Sequence, residues 1–296
     1  MRASCRDPDF ALHLLAFLFC AAALLAASSA RADLLSDLRQ RGVIRVGMAV
    51  GVPLFSYLDA RQDLAGSDVD TARLLASGLG VRLEIVRLTN ADRITAIETG
   101  AVDVVVSSLS ITPEREQQVG FSIPYARLHV VLAGRPALRV NGYADLAGLE
   151  VGVTRNTASG ALVARFAPRA RLVAFDSDML LIEAAVAGRL DLFSTQGAVL
   201  DAVNRQAGYK MFEEKFVQHE FDLAVAMPRR ERALRTWINA WVFEQLRSGR
   251  LNEIYRRHHG VAGRPLPARR DADRRRGRRL VPAAPRGEFR QIGRAS

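Results

Sequence analysis

Short runs of apolar, largely β-branched residues alternate along the chain with stretches in which apolar residues recur every three or four positions. The short runs predict strands buried on both faces; they cover residues 43–48, 82–88, 102–107, 150–154, 170–175 and 190–194. The other stretches predict helices that each end in a glycine; they cover residues 67–80, 91–100, 178–188 and 198–208. Strands that alternate with helices of this length indicate α/β units built around parallel sheets.

The strand–helix–strand succession occurs twice, in residues 43–107 and again in residues 150–194. This repetition predicts two similar lobes. Ligands of α/β sheets bind beyond the carboxyl ends of the strands. We therefore expect the segments that follow residues 107 and 154 to face each other across a cleft. A helical pattern over residues 233–260 is interrupted near Ser248 and Gly249.

The first 32 residues have the pattern of a secretory signal peptide. Arg2 and Arg6 precede an uninterrupted apolar run over residues 10–27. Residues 28–32 then end in the small-x-small pattern that a signal peptidase cleaves, here after Ala32. A retained membrane anchor is the alternative, because 18 apolar residues lie at the lower limit for a membrane span. We expect export with cleavage.

The net charge of +11 is concentrated outside the predicted lobes. Residues 261–296 hold eleven arginines against three acidic residues, and the leader adds one more positive charge, which leaves +2 for residues 33–260. The Arg-rich segment has no periodicity and mixes Pro, Gly and Arg, so we expect a disordered, solvated tail. Nucleic-acid binding is the alternative, but aromatic residues do not alternate with the arginines and the chain is expected to be exported.

The body of the chain has no sequence motif for a metal or a cofactor. Both cysteines, Cys5 and Cys20, lie in the leader, so the mature chain has neither a disulfide nor a cysteine metal site. We therefore expect no metal and no cofactor.

The stretch "VDVVVSSLSITPER" (102–115) runs from a predicted strand into hydroxyl residues. It places Ser108 and Ser110 at the carboxyl end of the strand. Thr112 is suited to the N-cap of a helix and Pro113 to its first position. This part of the stretch is explained by a helix start alone.

Arg115 is not explained by a helix start, because a cation in the first turn opposes the helix dipole. Beside hydroxyls and free backbone N–H groups, its guanidinium predicts a pocket for a small anion. A carboxylate matches the guanidinium fork with two parallel hydrogen bonds.

The stretch "VGVTRNTASG" (151–160) supplies the second edge of the predicted cleft. Its strand ends at Thr154, and Asn156 is able to take a positive φ. A helix then begins near Thr157 or Ser159. Hydroxyls and helix N–H groups here predict a second half-site for the same anion, although an ordinary capped turn would have the same sequence.

Several stretches of the body carry a family resemblance; they are "GVIRVGMAVGVPLFSY", "LAGSDVDTARLLASGLGV", "DRITAIETGAVDVVVSSLSITPEREQQVGFSIPY", "DLAGLEVGVTRNTAS" and "SGRLNEIYRRHHG". In this order, from about residue 42 to residue 260, they resemble the bacterial family 3 extracellular solute-binding proteins, the receptors of ABC importers for polar amino acids. The resemblance implies the two-lobed periplasmic-binding-protein fold (type II), with lobe 1 over residues 33–128 and 222–260 and lobe 2 over residues 129–221. It also implies a periplasmic monomer that partners a membrane permease.

The resemblance implies roles for individual residues. The ligand α-carboxylate is held in that family by groups that match Arg115, Ser108, Ser110 and Thr157. The members that bind acidic amino acids use two further stretches, which here place Arg93 and Thr154.

The sequence also departs from the family pattern. An aspartate that takes the ligand ammonium aligns with Gln196, which has no charge. Asp178 or Asp222 could compensate for the lost carboxylate. A stacking aromatic residue aligns with Val52, and an arginine that grips acidic side chains falls near Ala49.

We therefore expect a receptor for a small carboxylate-bearing solute, an amino acid or an analogue. An enzyme similar to the cyclohexadienyl or arogenate dehydratases is the alternative. Such an enzyme needs a carboxylic acid in the cleft, which Gln196 cannot supply and Asp178 could. A ligand-sensing receptor module is a third reading, but this chain has no second membrane span or kinase segment.

Overall fold

The computed structural model describes residues 33–261. The predicted signal peptide (1–32) and all but the first residue of the predicted Arg-rich tail (261–296) lie outside the described residues. Within residues 33–261, no helix combines the length and the apolar character that a membrane span requires.

The helices and strands follow the predicted alternation. The helices are α1 (Leu34–Arg41), α2 (Ser67–Leu79), α3 (Arg93–Glu98), α4 (Pro113–Gln118), α5 (Ala158–Phe166), α6 (Asp178–Val186), α7 (Gly197–Ala207), α8 (Arg232–Arg247) and α9 (Arg250–His259). The strands are β1 (Val43–Ala49), β2 (Tyr57–Leu58), β3 (Leu64–Ala65), β4 (Arg82–Leu88), β5 (Val104–Val105), β6 (Val119–Phe121), β7 (Ala126–Gly134), β8 (Glu150–Thr154), β9 (Arg171–Phe175), β10 (Leu192–Gln196), β11 (Glu213–Leu223) and β12 (Ala226–Pro228).

Two five-stranded sheets organise these elements. The first has the order β4-β1-β5-β12-β6 and the second the order β11-β7-β10-β8-β9. The predicted parallel pairs are present, because β1 runs parallel to β4 and β5, and β8 runs parallel to β9 and β10. Each sheet also has antiparallel strands that the sequence pattern did not predict, so both sheets are mixed.

The chain passes between the sheets through β7 and β11, which pair antiparallel along most of their length. Ala126 at the start of β7 lies opposite Leu223 at the end of β11. The two strands through which the chain passes between the sheets therefore lie side by side. The predicted lobe boundaries, after residues 128 and 221, fall within these two strands and stay a prediction.

Predicted helix ends agree with the structure. The glycine after each of the four predicted helices has a positive φ; these residues are Gly80, Gly100, Gly188 and Gly208. The break in the carboxyl-terminal helix is also confirmed, because α8 ends at Arg247 and α9 starts after Gly249, whose φ is 81°.

Two details of the strand prediction are wrong. Strands β4 and β9 are not buried on both faces, because each is the outermost strand of its sheet and exposes residues such as Arg82 and Leu172. Strand β5 is only two residues long instead of covering residues 102–107. The segment nevertheless follows β1, since Asp103 N–H donates to Arg45 O and Val106 N–H to Gly47 O.

Candidate ligand-binding site

The hydroxyl-rich segment after β5 turns sharply at Ser108, whose φ of 41° lies in the left-handed region. Serine rarely adopts this region, so the surroundings of Ser108 must hold it there. Ser107 anchors the turn, because its Oγ accepts the N–H of Ala49 at 2.8 Å. The turn leaves Ser108 and Ser110 buried at the carboxyl end of the strand.

Helix α4 begins as the sequence predicts. The Oγ1 of Thr112 accepts the N–H of Arg115 at 3.3 Å, and Pro113 is the first helical residue. This geometry fixes the start of the helix and leaves the guanidinium of Arg115 free to reach away from its own backbone.

The second predicted edge also has the expected local structure. Strand β8 ends at Thr154, and Asn156 has a φ of 54°. Of the two candidate caps, Thr157 is the N-cap of α5, because its Oγ1 accepts the N–H of Gly160 at 3.2 Å. Its hydroxyl donates to the carbonyl of Thr154 at 2.6 Å, so cap and strand end are tied together.

Arg115 joins the two edges. Its Nη1 donates to the carbonyl of Ser110 at 2.9 Å, and its Nη2 donates to the carbonyl of Asn156 at 2.8 Å. The Nδ2 of Asn156 in turn donates to the carbonyl of Ala91 at 3.3 Å. These contacts connect the end of the first sheet with the end of the second.

Residues from both edges line a cavity of about 40 Å³. On the same measure one water needs about 10–15 Å³, so the space is suited to a small solute. The structure brings most of the predicted site residues to this cavity; these are Arg93, Ser108, Ser110, Arg115, Thr157, Asp178 and Gln196. Thr154 does not line the cavity and lies behind Asp178, to which it is hydrogen-bonded.

The cavity also has walls that sequence reasoning missed. Asn90, Thr195 and the apolar side chains of Leu128 and Val130 line it. Asn90 directly precedes a predicted helix, which is a common position for a capping residue, so its type carried no distinct signal. Leu128 and Val130 are buried residues of β7, a strand that the sequence pattern did not predict.

Arg93 is almost completely buried at the cavity wall. Its Nε donates to the carbonyl of Asn90 at 3.0 Å, and its Nη1 donates to the carbonyl of Ser107 at 2.9 Å. Burial lowers the pKa of Arg93, while the carboxyl groups of Asp178 and Asp68 act in the opposite direction. Within residues 33–261 its Nη2 makes no hydrogen bond, so this nitrogen remains available to a ligand.

Asp178 is the acidic residue of the cavity wall. Its Oδ1 accepts the hydroxyl of Thr154 at 2.6 Å. Burial raises its pKa, and this rise is opposed by hydrogen bonds from Thr154, Asn90 and Gln196 and by the charge of Arg93. The other acidic candidate, Asp222, does not line the cavity and accepts from Arg127 at 3.1 Å.

The site carries more positive than negative charge. Burial, together with the charge of Arg93, lowers the pKa of Arg115 to about 9. Two neighbouring arginines destabilise each other's charged form. A bound anion stabilises the charged form of both, so the pair attracts an anion. The lining groups thus favour a ligand with at least one carboxylate.

Two positions at which the sequence departs from the family pattern do not contribute to the cavity. Val52 and Ala49 are both buried, and neither lines it. Among residues 33–261 no group of three or more His, Cys, Asp or Glu is arranged to hold a metal ion.

Asp68 is a buried carboxyl group near the turn at Ser108. Its Oδ1 lies 3.3 Å from the hydroxyl of Tyr125, and its Oδ2 has no hydrogen-bond partner within residues 33–261. Burial raises the pKa of Asp68 from 3.8 to about 7, and the hydroxyl of Tyr125, the backbone N–H of Ser108 and the charge of Arg93 only partly oppose this rise. Between about pH 4 and pH 7 the folded protein therefore keeps a proton that the unfolded chain releases, and stability falls as the pH rises.

Replacing Asp68 should remove this pH dependence. Asp68→Asn has the shape of the protonated carboxyl group, so we expect its free energy of unfolding to match wild type near pH 3.5, below the pKa of 3.8 in the unfolded chain. At pH 8 the variant should be more stable than wild type by a few kcal/mol, since one pKa unit corresponds to about 1.4 kcal/mol. Urea unfolding at both pH values measures this, with the exposed Asp63→Asn as the control. An equal difference at both pH values would contradict it.

Comparison of the sequence with known proteins identifies a family. A family model for bacterial extracellular solute-binding proteins, family 3, matches residues 44–261. The glutamine-binding protein of Geobacillus stearothermophilus is 25% identical over 205 residues, which cover 67% of this chain and 78% of that protein. The cyclohexadienyl dehydratase of Pseudomonas aeruginosa is 28% identical over 256 residues, which cover 81% of this chain and 92% of the enzyme.

A solved structure shares the whole architecture. The crystal structure of the solute receptor for L-cysteine of Neisseria gonorrhoeae matches with a TM-score of 0.71 and 26% identity, over 76% of this chain and 93% of that chain. The two mixed sheets and their flanking helices thus form the type II periplasmic-binding-protein fold, as predicted. The chain belongs to the bacterial extracellular solute-binding proteins of family 3, because the family model matches most of its length.

Proposed function

We propose that this solute-binding protein is the periplasmic receptor of an ABC importer for a small carboxylate-bearing solute, an amino acid or a close analogue. The observation that carries the proposal is the position of Arg115, which lines the cavity and bridges both edges of the cleft. Residues 33–128 with 222–260 would form one lobe and residues 129–221 the other. The monomeric receptor would close around the solute and present it to a membrane permease, after removal of residues 1–32.

The polar groups of the cavity support an amino acid or analogue as the ligand. Arg115 keeps unused N–H groups beside the hydroxyls of Ser110 and Thr157, so a carboxylate placed there can be met by several donors. Relatives named as a glutamine-binding protein, matched over 205 residues, and an L-arginine-binding protein, matched over 169 residues, support the same ligand class.

A ligand screen tests the proposal. We expect at least one compound among amino acids, dicarboxylates and opines to raise the melting temperature of the mature protein. Calorimetry should then give a micromolar or lower dissociation constant, which corresponds to a binding free energy of about −8 kcal/mol or better. No response from any of the three classes would overturn the proposal.

An enzyme is the second candidate, favoured by one specific observation. Asp178 lines the cavity, and burial raises its pKa, as a general acid requires. Together with the similarity to a cyclohexadienyl dehydratase, this supports an assay with prephenate and arogenate. Turnover that is lost in Asp178→Asn would establish the enzyme, whereas binding of either compound without turnover would favour the receptor.

A further inference from the structure

The cavity has an acceptor-rich end as well as the arginines. Asp178 is the first residue of α6, but it does not cap that helix, because the Oγ of Ser177 accepts the N–H of Leu180 at 3.3 Å. The carboxylate is therefore not committed to the backbone. Only its Oδ1 has a short hydroxyl partner, at Thr154.

Two amide side chains line the same cavity as this carboxylate. Asn90 and Gln196 both act to lower the pKa of Asp178, as the NH₂ end of an amide does when it faces a carboxylate. The opposite ends, Asn90 Oδ1 and Gln196 Oε1, are buried and have no hydrogen-bond partner within residues 33–261. Both residues line the cavity. A buried acceptor without a partner costs about 1–3 kcal/mol, so these oxygens favour a ligand that donates to them.

The donor that fits this end is cationic. An ammonium group has three N–H donors and no acceptor, and the cluster provides three acceptor groups. A hydroxyl supplies one hydrogen and would leave acceptors without partners. Arg115, on α4, is held by the carbonyls of Ser110 and Asn156. Asp178, on α6, is held by the hydroxyl of Thr154, so the two charged groups reach the cavity from different elements and are held by different partners.

We propose that Asp178, with the amide oxygens of Asn90 and Gln196, binds the ammonium group of the ligand, so that the site selects amino acids over hydroxy acids of the same shape. This inference rests on the proposed function and names the ligand class of that site. In the family pattern the carboxylate that binds the ammonium group lies at the position of Gln196, at the end of β10. The proposal places this carboxylate at Asp178, the first residue of α6.

Matched ligand pairs test the inference on the wild-type protein. L-Glutamate with L-2-hydroxyglutarate, L-aspartate with L-malate, L-alanine with L-lactate and L-phenylalanine with L-3-phenyllactate each differ only in ammonium against hydroxyl. For every pair of which either member binds, calorimetry should give at least about a 100-fold preference for the amino acid, because the hydroxy acid leaves buried acceptors without partners. Equal affinity, or a preference for the hydroxy acid, would overturn the inference.

Variants then locate the preference. Asp178→Asn should weaken the amino acid by at least about 30-fold and the hydroxy acid by less than about threefold, since only the amino acid loses its counter-charge. Gln196→Met, which keeps the size of the side chain, should lower amino-acid affinity by about fivefold through the loss of one acceptor. Asp176→Asn, at an exposed position two residues before Asp178, is the matched control and should bind like wild type.

The outcomes separate the two proposals. Equal losses for both members of a pair in Asp178→Asn would show that Asp178 has only a structural role and would overturn this inference alone. Binding of amino acids with no effect of Asp178→Asn would do the same and leave the receptor standing. Absence of binding by every amino acid and every hydroxy acid would overturn this inference, and the proposed function would fall with it only if the dicarboxylates and opines of the ligand screen also fail to bind.

Discussion

Arg115→Ala should weaken ligand binding by about 2–4 kcal/mol, which is roughly 30-fold to 1,000-fold in the dissociation constant. The reason is that a partly buried carboxylate would lose its charge partner and its parallel hydrogen bonds. The variant also loses the contact from Arg115 to the carbonyl of Asn156, so closure of the cleft is weakened at the same time. Calorimetry with the ligand found by screening gives the number.

Arg115→Lys should recover only part of this loss, because an ammonium group cannot make two parallel hydrogen bonds to a carboxylate. The exposed Arg169→Ala, which lies away from the cavity lining, is the matched control for a change in net charge. Without ligand, the melting temperature of Arg115→Ala should change little. If Arg115→Ala binds the ligand like wild type, the stretch around Thr112 is only a helix start and the carboxylate pocket is wrong.

Gly66→Ala should cost about 3 kcal/mol or more of the free energy of unfolding. Gly66 precedes α2 with a φ of 124°, and an added Cβ would lie 2.2 Å from the carbonyl oxygen of Phe55. The other close atoms are also backbone, so no side chain can move aside. The N–H groups of Ser67 and Asp68 are bonded to this same loop, so the change would also disturb the position of Asp68.

Two other glycines control for this prediction. Gly142→Ala meets no atom within 4 Å and has an extended backbone, so its stability should equal that of wild type. Gly80→Ala also has open space but a φ of 72°, so it should cost only about 1 kcal/mol. Urea unfolding of all three variants provides the comparison. A Gly66→Ala protein as stable as Gly80→Ala would show that the Phe55 loop can move away without cost.

The sequence allowed the strand ends and helix starts of the site to be predicted, because they depend on local chemistry. Thr112 and Thr157 cap helices because a threonine hydroxyl accepts an N–H group of the first helical turn. Asn156 tolerates a positive φ because its short polar side chain can hydrogen-bond to nearby backbone. The parallel cores of both sheets were predictable for the same reason, since their apolar runs are continuous.

Contacts between distant segments could not be predicted in this way. The sequence left Asp178 and Asp222 as equal candidates, and only the folded chain places Asp178 at the cavity and Asp222 beside Arg127. Strand β11 was missed because register shifts near Glu214 and Val217 break the two-residue alternation that identifies a strand. Asn90 could not be identified as a site residue from the sequence, because its role depends on its position with Asp178 in the cavity wall.

The hydrogen bond between Arg115 and the carbonyl of Asn156 separates affinity from selectivity. It is made between protein groups alone, so it contributes the same free energy to closure whichever solute is enclosed. A substitution that strengthens or weakens this contact shifts the dissociation constants of all ligands by one common factor. Under the proposed receptor function, a change that acts on this contact alone would therefore adjust the affinity for every solute without changing which solute is preferred.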